Sequence, residues 1–314
     1  MSNLKNYLTL SHLSVKNANA QSSPITVGIP ALTAFFGAMH KLQRELHSRG
    51  FSDIKILGTG IIIHDAYLHV YKTGRNKDSL ILSSNPLVKK GSTFERPSTI
   101  PDAKIDFTAS LICEVEDNSF DLDVDEFRAA IDAILQNSLK IAGGDILPPC
   151  DNDGKTISSF TRQIKYYPGV DCDNYTEIKQ ITNRLVPGFA LIERRDLMIE
   201  AMQQGNTAID SLIDFLAIHN ECNKTEEGDV QWKTFKRTNG WLVPISVGFQ
   251  RLTPPQQVQN QRDENYPHIF VENLITLGEY RMINSFKNLD EIMWKYIFDE
   301  SKSQYKCTCM CKGE

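Results

Sequence analysis

Leu32, Phe35, Met39, Leu42 and Leu46 recur at spacings of three and four residues, and an α-helix gathers them onto one face. At about 100° per residue, Thr33, Gly37, His40 and Arg44 fall on a separate polar stripe of that helix, where a glycine admits close approach by another chain. The helix predicted over Ala31–Arg49 follows directly on an uncharged stretch, Asn17–Pro30, rich in Asn, Ser and Thr. That stretch leads from a strand predicted over Tyr7–Val15. Pro30 falls at the expected first helical position, where a missing amide costs nothing. A helix start offers free amides and a positive dipole end, which suit an anion. Asn17, Asn19, Ser22 and Ser23 beside it suit the edge of a sugar or base, or else cap the loop's own backbone.

Beyond the helix, Ile54–Tyr71 is strand-like, with Gly58 and Gly60 marking a bulge. Leu80–Leu82 is a short apolar run, Asn85–Asp102 reads as loop, and Ile105–Val115 is a further strand. Asp123, with Glu126 three residues on, has the form of a capping box for a second helix whose core face is Val124, Phe127, Ile131, Ile134 and Leu135. Gly143 and Gly144 then turn the chain into a short strand. This order predicts an α+β fold with a ferredoxin-like βαββαβ core over 1–150, carrying an insertion over 65–104. A mixed C-terminal domain follows over 151–298, and a flexible tail over 299–314. Within the second half, helices are predicted over Tyr175–Leu185, Arg195–Gln203, Thr207–His219 and Asp290–Phe298, and strands over Gly188–Ile192 and Trp241–Val247.

The net charge of −5 argues against a uniformly basic nucleic-acid binder, but the charge is unevenly placed. Glu114, Glu116, Asp117, Asp121, Asp123, Asp125 and Glu126 form an acidic run. Lys155, Arg162, Lys165, Lys179, Arg184, Arg194 and Arg195 make a basic stretch, and Lys233, Lys236, Arg237 and Arg251 a second. Arginine suits bidentate phosphate contacts, although surface ion pairing explains the composition equally well. The seven cysteines are an odd count, and their spacing fits reduced thiols. Cys307, Cys309 and Cys311 alternate but have no fourth ligand nearby, so neither metal nor cofactor is expected. No stretch has the apolar length of a membrane span, so the chain is expected in the cytoplasm without a membrane partner.

His40 is the leading candidate for acid–base chemistry, as a general base for RNA cleavage, but no neighbouring residue clearly supplies a second catalytic group. The sequence has no nucleophile elbow, phosphate-binding Gly-Lys loop or dinucleotide fingerprint. Gly143 and Gly144 suit a turn that lays backbone amides against phosphate, and equally a helix C-cap.

Several motifs occur in order: Asn-Ala-Asn-Ala-x-Ser-Ser-Pro (17–24), Gly-x-Pro-Ala-x-Thr-Ala-Phe-x-Gly (28–37), His-x-Leu-Gln-Arg (40–44), Ala-Gly-Gly-x-Ile-Leu-Pro (142–148), Arg-Leu-x-Pro-Gly-Phe-Ala-Leu (184–191), Gly-Trp-Leu-Val-Pro-Ile (240–245), and Phe-Val-Glu-Asn-Leu with Gly-Glu-Tyr (270–280). Together they resemble the Csy-two subunits of type I-F CRISPR surveillance complexes, which are Cas-five-type members of the repeat-associated RNA-binding superfamily. The stretch 65–104 matches weakly and the cysteine tail has no counterpart. The resemblance implies a non-catalytic subunit that holds the 5′ handle of the guide RNA. It also implies pairing with the large subunit, contact with a backbone subunit and a place near target double-stranded DNA. On that reading Asn17, Asn19, Ser22, Ser23 and Thr33 read the handle, and Gly37, His40, Gly143 and Gly144 line its path. Arg44, Arg184, Arg194, Arg195 and Arg251 neutralise phosphates. The competing reading within the superfamily is a repeat-RNA endoribonuclease with His40 as base.

Overall fold

A computed structural model describes residues 4–74, 77–84, 86–150, 153–224 and 230–309. The first strand, β1 (Leu4–Asn19), runs past both ends of its predicted span. The patterned helix forms as α1 (Leu32–Ser48) and buries all five residues of its stripe together with Phe36 and Ala38. Ala31 is its cap, so Pro30 lies one step outside the helix instead of opening it. Then come β2 (Ile54–Leu68), β3 (Lys104–Asp117), α2 (Val124–Asn137) and β4 (Gly144–Leu147). The Asp123 carboxylate accepts the Asp125 and Glu126 amides, each at 3.0 Å, which fixes the start of α2. These strands lie in the order β4-β1-β3-β2, antiparallel throughout. Between β2 and β3, Val70–Gly74 pairs with Lys77–Leu80, Leu82–Ser84 with Thr99–Pro101, and Val88–Lys90 with Thr93–Glu95, so short strands occupy part of the loop expected over Asn85–Asp102.

In the second half, β5 (Ile164–Asp171) pairs with the first part of β1, and α3 (Tyr175–Asn183) follows. Next are β6 (Phe189–Glu193), α4 (Arg195–Gln203), α5 (Ala208–Leu216), β7 (Trp241–Arg251) and β8 (Val271–Met282). The last strands are β9 (Trp294–Asp299) and β10 (Gln304–Cys309). The sheet continues from β2 as β6-β8-β7-β10-β9, and β9 returns to β2 by pairing Trp294 with Thr59. Six strands thus close on themselves, with β2 common to both halves of the chain. The sheet therefore runs straight through the boundary expected at residue 150.

Two apolar cores occupy the two faces of this sheet. One gathers α1, α2 and the inner residues of β1 and β3 with Leu191, Ile245, Val247, Trp294 and Cys307 from the second half. The other sets Tyr7, Ile62 and Ile112 against Ile178 and Ile181 of α3, and against Phe286, Leu289 and Ile292.

Two expectations for the C-terminus do not hold. The predicted helix Asp290–Phe298 is a short turn at Leu289–Ile292 followed by β9. Trp294, Tyr296, Ile297 and Phe298 favour extended backbone, and pairing with β10 satisfies it. The tail expected to be flexible supplies β10, whose Cys307 is fully buried; Cys311 lies outside the described residues.

Trp294 is fully buried, and its indole Nε1 donates to the Leu191 carbonyl at 2.8 Å. Gly58 and Gly60 flank its partner Thr59, and a side chain at Gly60 would meet Ile112 at 2.7 Å. Trp294→Ala should cost about 3–5 kcal/mol in urea unfolding, from the cavity and the lost burial. Trp294→Phe should cost less, about 1–3 kcal/mol, mainly for the orphaned carbonyl. No loss in Trp294→Phe would show that the hydrogen bond contributes nothing.

Candidate nucleic-acid interface

Asn17 takes the left-handed conformation (φ 58°) at a bulge in β1 between Val15 and Ala18. Its amide donates to Asp106 Oδ1 at 2.8 Å. The same carboxylate meets Lys16 Nζ at 3.1 Å and His69 Nε2 at 2.9 Å. Partial burial works against the Asp106 carboxylate, but the Asn17 amide, Lys16 and His69 outweigh it and hold its pKa below the ordinary value. The bulge is thereby pinned while the Asn17 side chain stays exposed.

In the rest of the loop the polar side chains bond to the loop itself, while Gln21, Pro24, Ile25 and Val27 are exposed. Asn19 bonds both ways with the Gln21 backbone, at 3.2 Å each. The Ser22 and Ser23 hydroxyls bond Thr26 Oγ1 at 2.8 and 2.6 Å, and Ser23 also accepts the Thr26 amide at 3.0 Å. Asn273 donates to the Ser22 carbonyl at 2.9 Å, tying the loop to β8. Asn19, Ser22 and Ser23 therefore follow the capping alternative. Beneath the loop a cavity of about 260 Å³ lies between Gly28, Pro30, Leu191, Trp241 and Tyr280.

The glycine turn sits beside this end of β1: the Asn19 amide donates to the Ala142 carbonyl at 2.9 Å. Gly143 (φ 78°) faces open space, as the expectation of close approach requires. Gly144 does not; a Cβ there would lie 2.8 Å from both the Ala18 Cβ and the Lys16 carbonyl, so its smallness serves contact with β1. Gly144→Ala should therefore destabilise the protein by about 1–3 kcal/mol, as overpacking does, measured as a lower urea midpoint.

On α1, Gly37, His40 and Arg44 are exposed and Thr33 is half-buried, as the stripe predicts. The arginines divide. Arg194 reaches Glu279 at 2.5 Å and Asp196 at 3.0 Å, and Arg195 reaches Glu193 at 2.6 Å. Both are committed to carboxylates of their own chain, two of them buried, and so follow the ion-pairing alternative. Burial raises the Glu193 pKa against the opposing pull of Arg195. Arg194→Ala leaves the buried Glu279 unpaired and should lower stability by about 1–3 kcal/mol, read as a fall in Tm. Arg251 is exposed at the end of β7. The acidic run is likewise dispersed: Glu114 is buried between Lys5 (3.4 Å) and Lys295 (2.9 Å), and Asp117 accepts the Tyr166 hydroxyl at 3.0 Å.

Arg184 belongs to a different place. Its Nη2 donates to the Arg162 carbonyl at 2.9 Å, and it lines a cleft of about 450 Å³ with Arg128, Arg162, Lys165, Thr161 and Tyr166. Four cations thus meet where α2, β5 and the end of α3 approach one another. Lys165 Nζ lies 4.8 Å from the centre of the Tyr167 ring. Near them His12 is held left-handed (φ 53°) at a second bulge of β1, its ring stacked on His64 at 4.0 Å. The Ser110 hydroxyl accepts the His12 amide at 2.8 Å and meets His64 Nε2 at 2.6 Å, and His64 Nδ1 bonds the Pro187 carbonyl. Burial lowers the His12 pKa, and His64 and Arg184 lower it further. Thr9, which pairs with Lys165, and Asn19 are ten residues apart on β1, so the cleft and the loop are separated by roughly 30 Å. Sequence reasoning missed Arg128 and His12. The signal for His12 was the three-residue step from Leu10 to Leu13, which breaks the alternation of an otherwise regular strand.

Among the described residues, no group of three or more His, Cys, Asp or Glu is placed to hold a metal ion, and no helix is long and apolar enough to cross a membrane. The chain is 31% identical over 316 residues to the CRISPR-associated protein Csy2 of Pseudomonas aeruginosa (strain UCBPP-PA14), an alignment that covers 95% of this chain and 94% of that protein. The family described as CRISPR-associated protein (Cas_Csy2) matches residues 8–307. With its motifs in order and its match running from β1 to β10, the chain belongs to the Cas_Csy2 family of CRISPR-associated proteins.

Proposed function

We propose that this protein is a non-catalytic subunit of a type I-F CRISPR ribonucleoprotein, and that it binds the 5′ handle of the guide RNA. It pairs with the large subunit, touches a backbone subunit and lies near target double-stranded DNA. Family membership supports the setting. The strand order β4-β1-β3-β2, with α1 and α2 sharing one core, supports reading the first half as a ferredoxin-like RNA-recognition core. The observation that carries the handle reading is the end of β1. There the exposed, uncharged Asn17 stands on a bulge pinned by Asp106, and Asn19 is bonded to the turn that presents the open Gly143. Such a surface reads base and sugar edges of splayed single strands, while sequence in the target is read by guide pairing.

The endoribonuclease reading gains nothing from the geometry. His40 is exposed in the middle of α1 and has no hydrogen bond to another described side chain, so nothing orients it as a base. Purified protein incubated with repeat RNA should leave it intact; metal-independent cleavage lost in His40→Ala would overturn the non-catalytic reading. For the handle, Asn17→Ala should reduce the preference for a natural over a scrambled handle by roughly tenfold, the scale of one lost buried hydrogen bond, without changing the salt slope. Undiminished preference combined with a lower Tm would make the bulge architecture alone.

A further inference from the structure

We propose that the cleft between α2 and the end of α3 holds the phosphodiester backbone of a single RNA strand, as a second anchoring point remote from the loop. The inference rests on the RNA-binding reading and extends it from Arg184 to Arg128, Arg162 and Lys165, which that reading does not use. Arg128, Arg162, Lys165 and Arg184 come from three separate segments and converge on one cavity of about 450 Å³. Arg128 is partly engaged, by Asp125 at 3.3 Å and the Thr161 carbonyl at 2.9 Å. Arg162 and Lys165 are exposed and have no acidic partner among the described residues. Arg194, Arg195 and Arg237 close ion pairs with carboxylates of the chain, whereas Arg162 and Lys165 stand open to an external anion.

A second observation points the same way. Buried polar atoms without a partner concentrate here: Arg128 Nε, Ser11 Oγ and Gln163 Oε1. The Ser11 amide bonds the Gln163 carbonyl at 2.9 Å, which places those two residues together beside the lining. Native interiors pair such atoms with protein groups, ordered water or a bound ligand, so these atoms mark a polar site beside the bulge. Guanidinium and hydroxyl donors suit phosphate oxygens, and the Gln163 acceptor suits a ribose hydroxyl.

The surroundings favour a strand over a free anion or a duplex. β5 pairs only with β1, so its other edge is open beside the cleft. Tyr167 and His12 stand within reach of the Arg184 charge, which influences both, and aromatic rings beside a basic groove are how unstacked bases are held. His12 keeps an unfavourable backbone conformation, a cost that is concentrated at functional sites.

The test uses the full chain and a fluorescein-labelled oligouridylate long enough to follow β1, with affinity measured across a salt series. The variant Arg162→Ala/Lys165→Ala removes two exposed cations and should leave Tm unchanged. It should weaken binding by about tenfold or more and flatten the salt slope by roughly 1.4, from about 0.7 per phosphate contact on a single strand. Arg162→Lys/Lys165→Arg, which keeps both charges, should retain the slope. Unchanged affinity and slope in the alanine variant overturn the cleft proposal; if the natural handle is still preferred by the wild type, the handle reading survives. Failure of the wild type to bind any RNA overturns both. A loss confined to duplex DNA, or displacement of RNA by poly-L-glutamate at equal charge, assigns the cleft to another partner and overturns the proposal.

Discussion

The structure depends on the two edges of β2. One edge pairs with β3 along nearly its whole length. The other is shared, with Ile62 and Ile63 facing β6 and Thr59 facing Trp294 of β9. Strands from the end of the chain are thereby joined to strands from its beginning, and the second half is closed into a ring. Trp294 makes the closure costly to break, because its ring is fully buried and its one polar atom is bonded to Leu191. Phe36 of α1 meets Tyr296 of β9 at 4.5 Å, so the first helix also packs against the last strands. The surfaces where RNA is proposed to bind are presented by β1 and β5, on the far side of β3 from this closure.

β1 itself is irregular, and its irregularities coincide with those surfaces. Against β3 it breaks register twice, near His12 and near Asn17, and each of these residues takes a left-handed conformation. Each is also pinned by a side chain from β3 that accepts its amide, Ser110 in one case and Asp106 in the other. A bulge turns side chains that a regular strand would bury or align, at a local cost that neighbouring hydrogen bonds offset.

Part of the charge in this protein serves its own folding. Of the arginines read as phosphate ligands, Arg194 and Arg195 close ion pairs with Glu279, Asp196 and Glu193. Glu114 serves as an internal counterion to Lys5 and Lys295. That a basic composition resolves into ion pairs in one segment and an open cleft in another follows from where carboxylates happen to be brought within about 4 Å, which linear spacing does not encode.

The sequence by itself determined the local elements of the first half. The spacing of Leu32, Phe35, Met39, Leu42 and Leu46 requires α1, Asp123 starts α2, and the order of motifs identifies the family, because each of these signals is carried by residues close in the chain. It also placed Gly37, His40 and Arg44 on an exposed face. The C-terminal strands were less legible: Trp294–Asp299 and Gln304–Cys309 are extended because each pairs with the other and with distant strands, and neither has a pattern strong enough to declare itself. Tertiary structure alone decided which polar residues are free. Ser23 and Thr26 are buried against each other, Gly144 is needed by Ala18, and Arg184 joins Arg128, Arg162 and Lys165 at roughly the length of β1 from the loop it was grouped with. Those outcomes depend on the approach of segments far apart in the chain, and burial and hydrogen-bond satisfaction are properties of that approach.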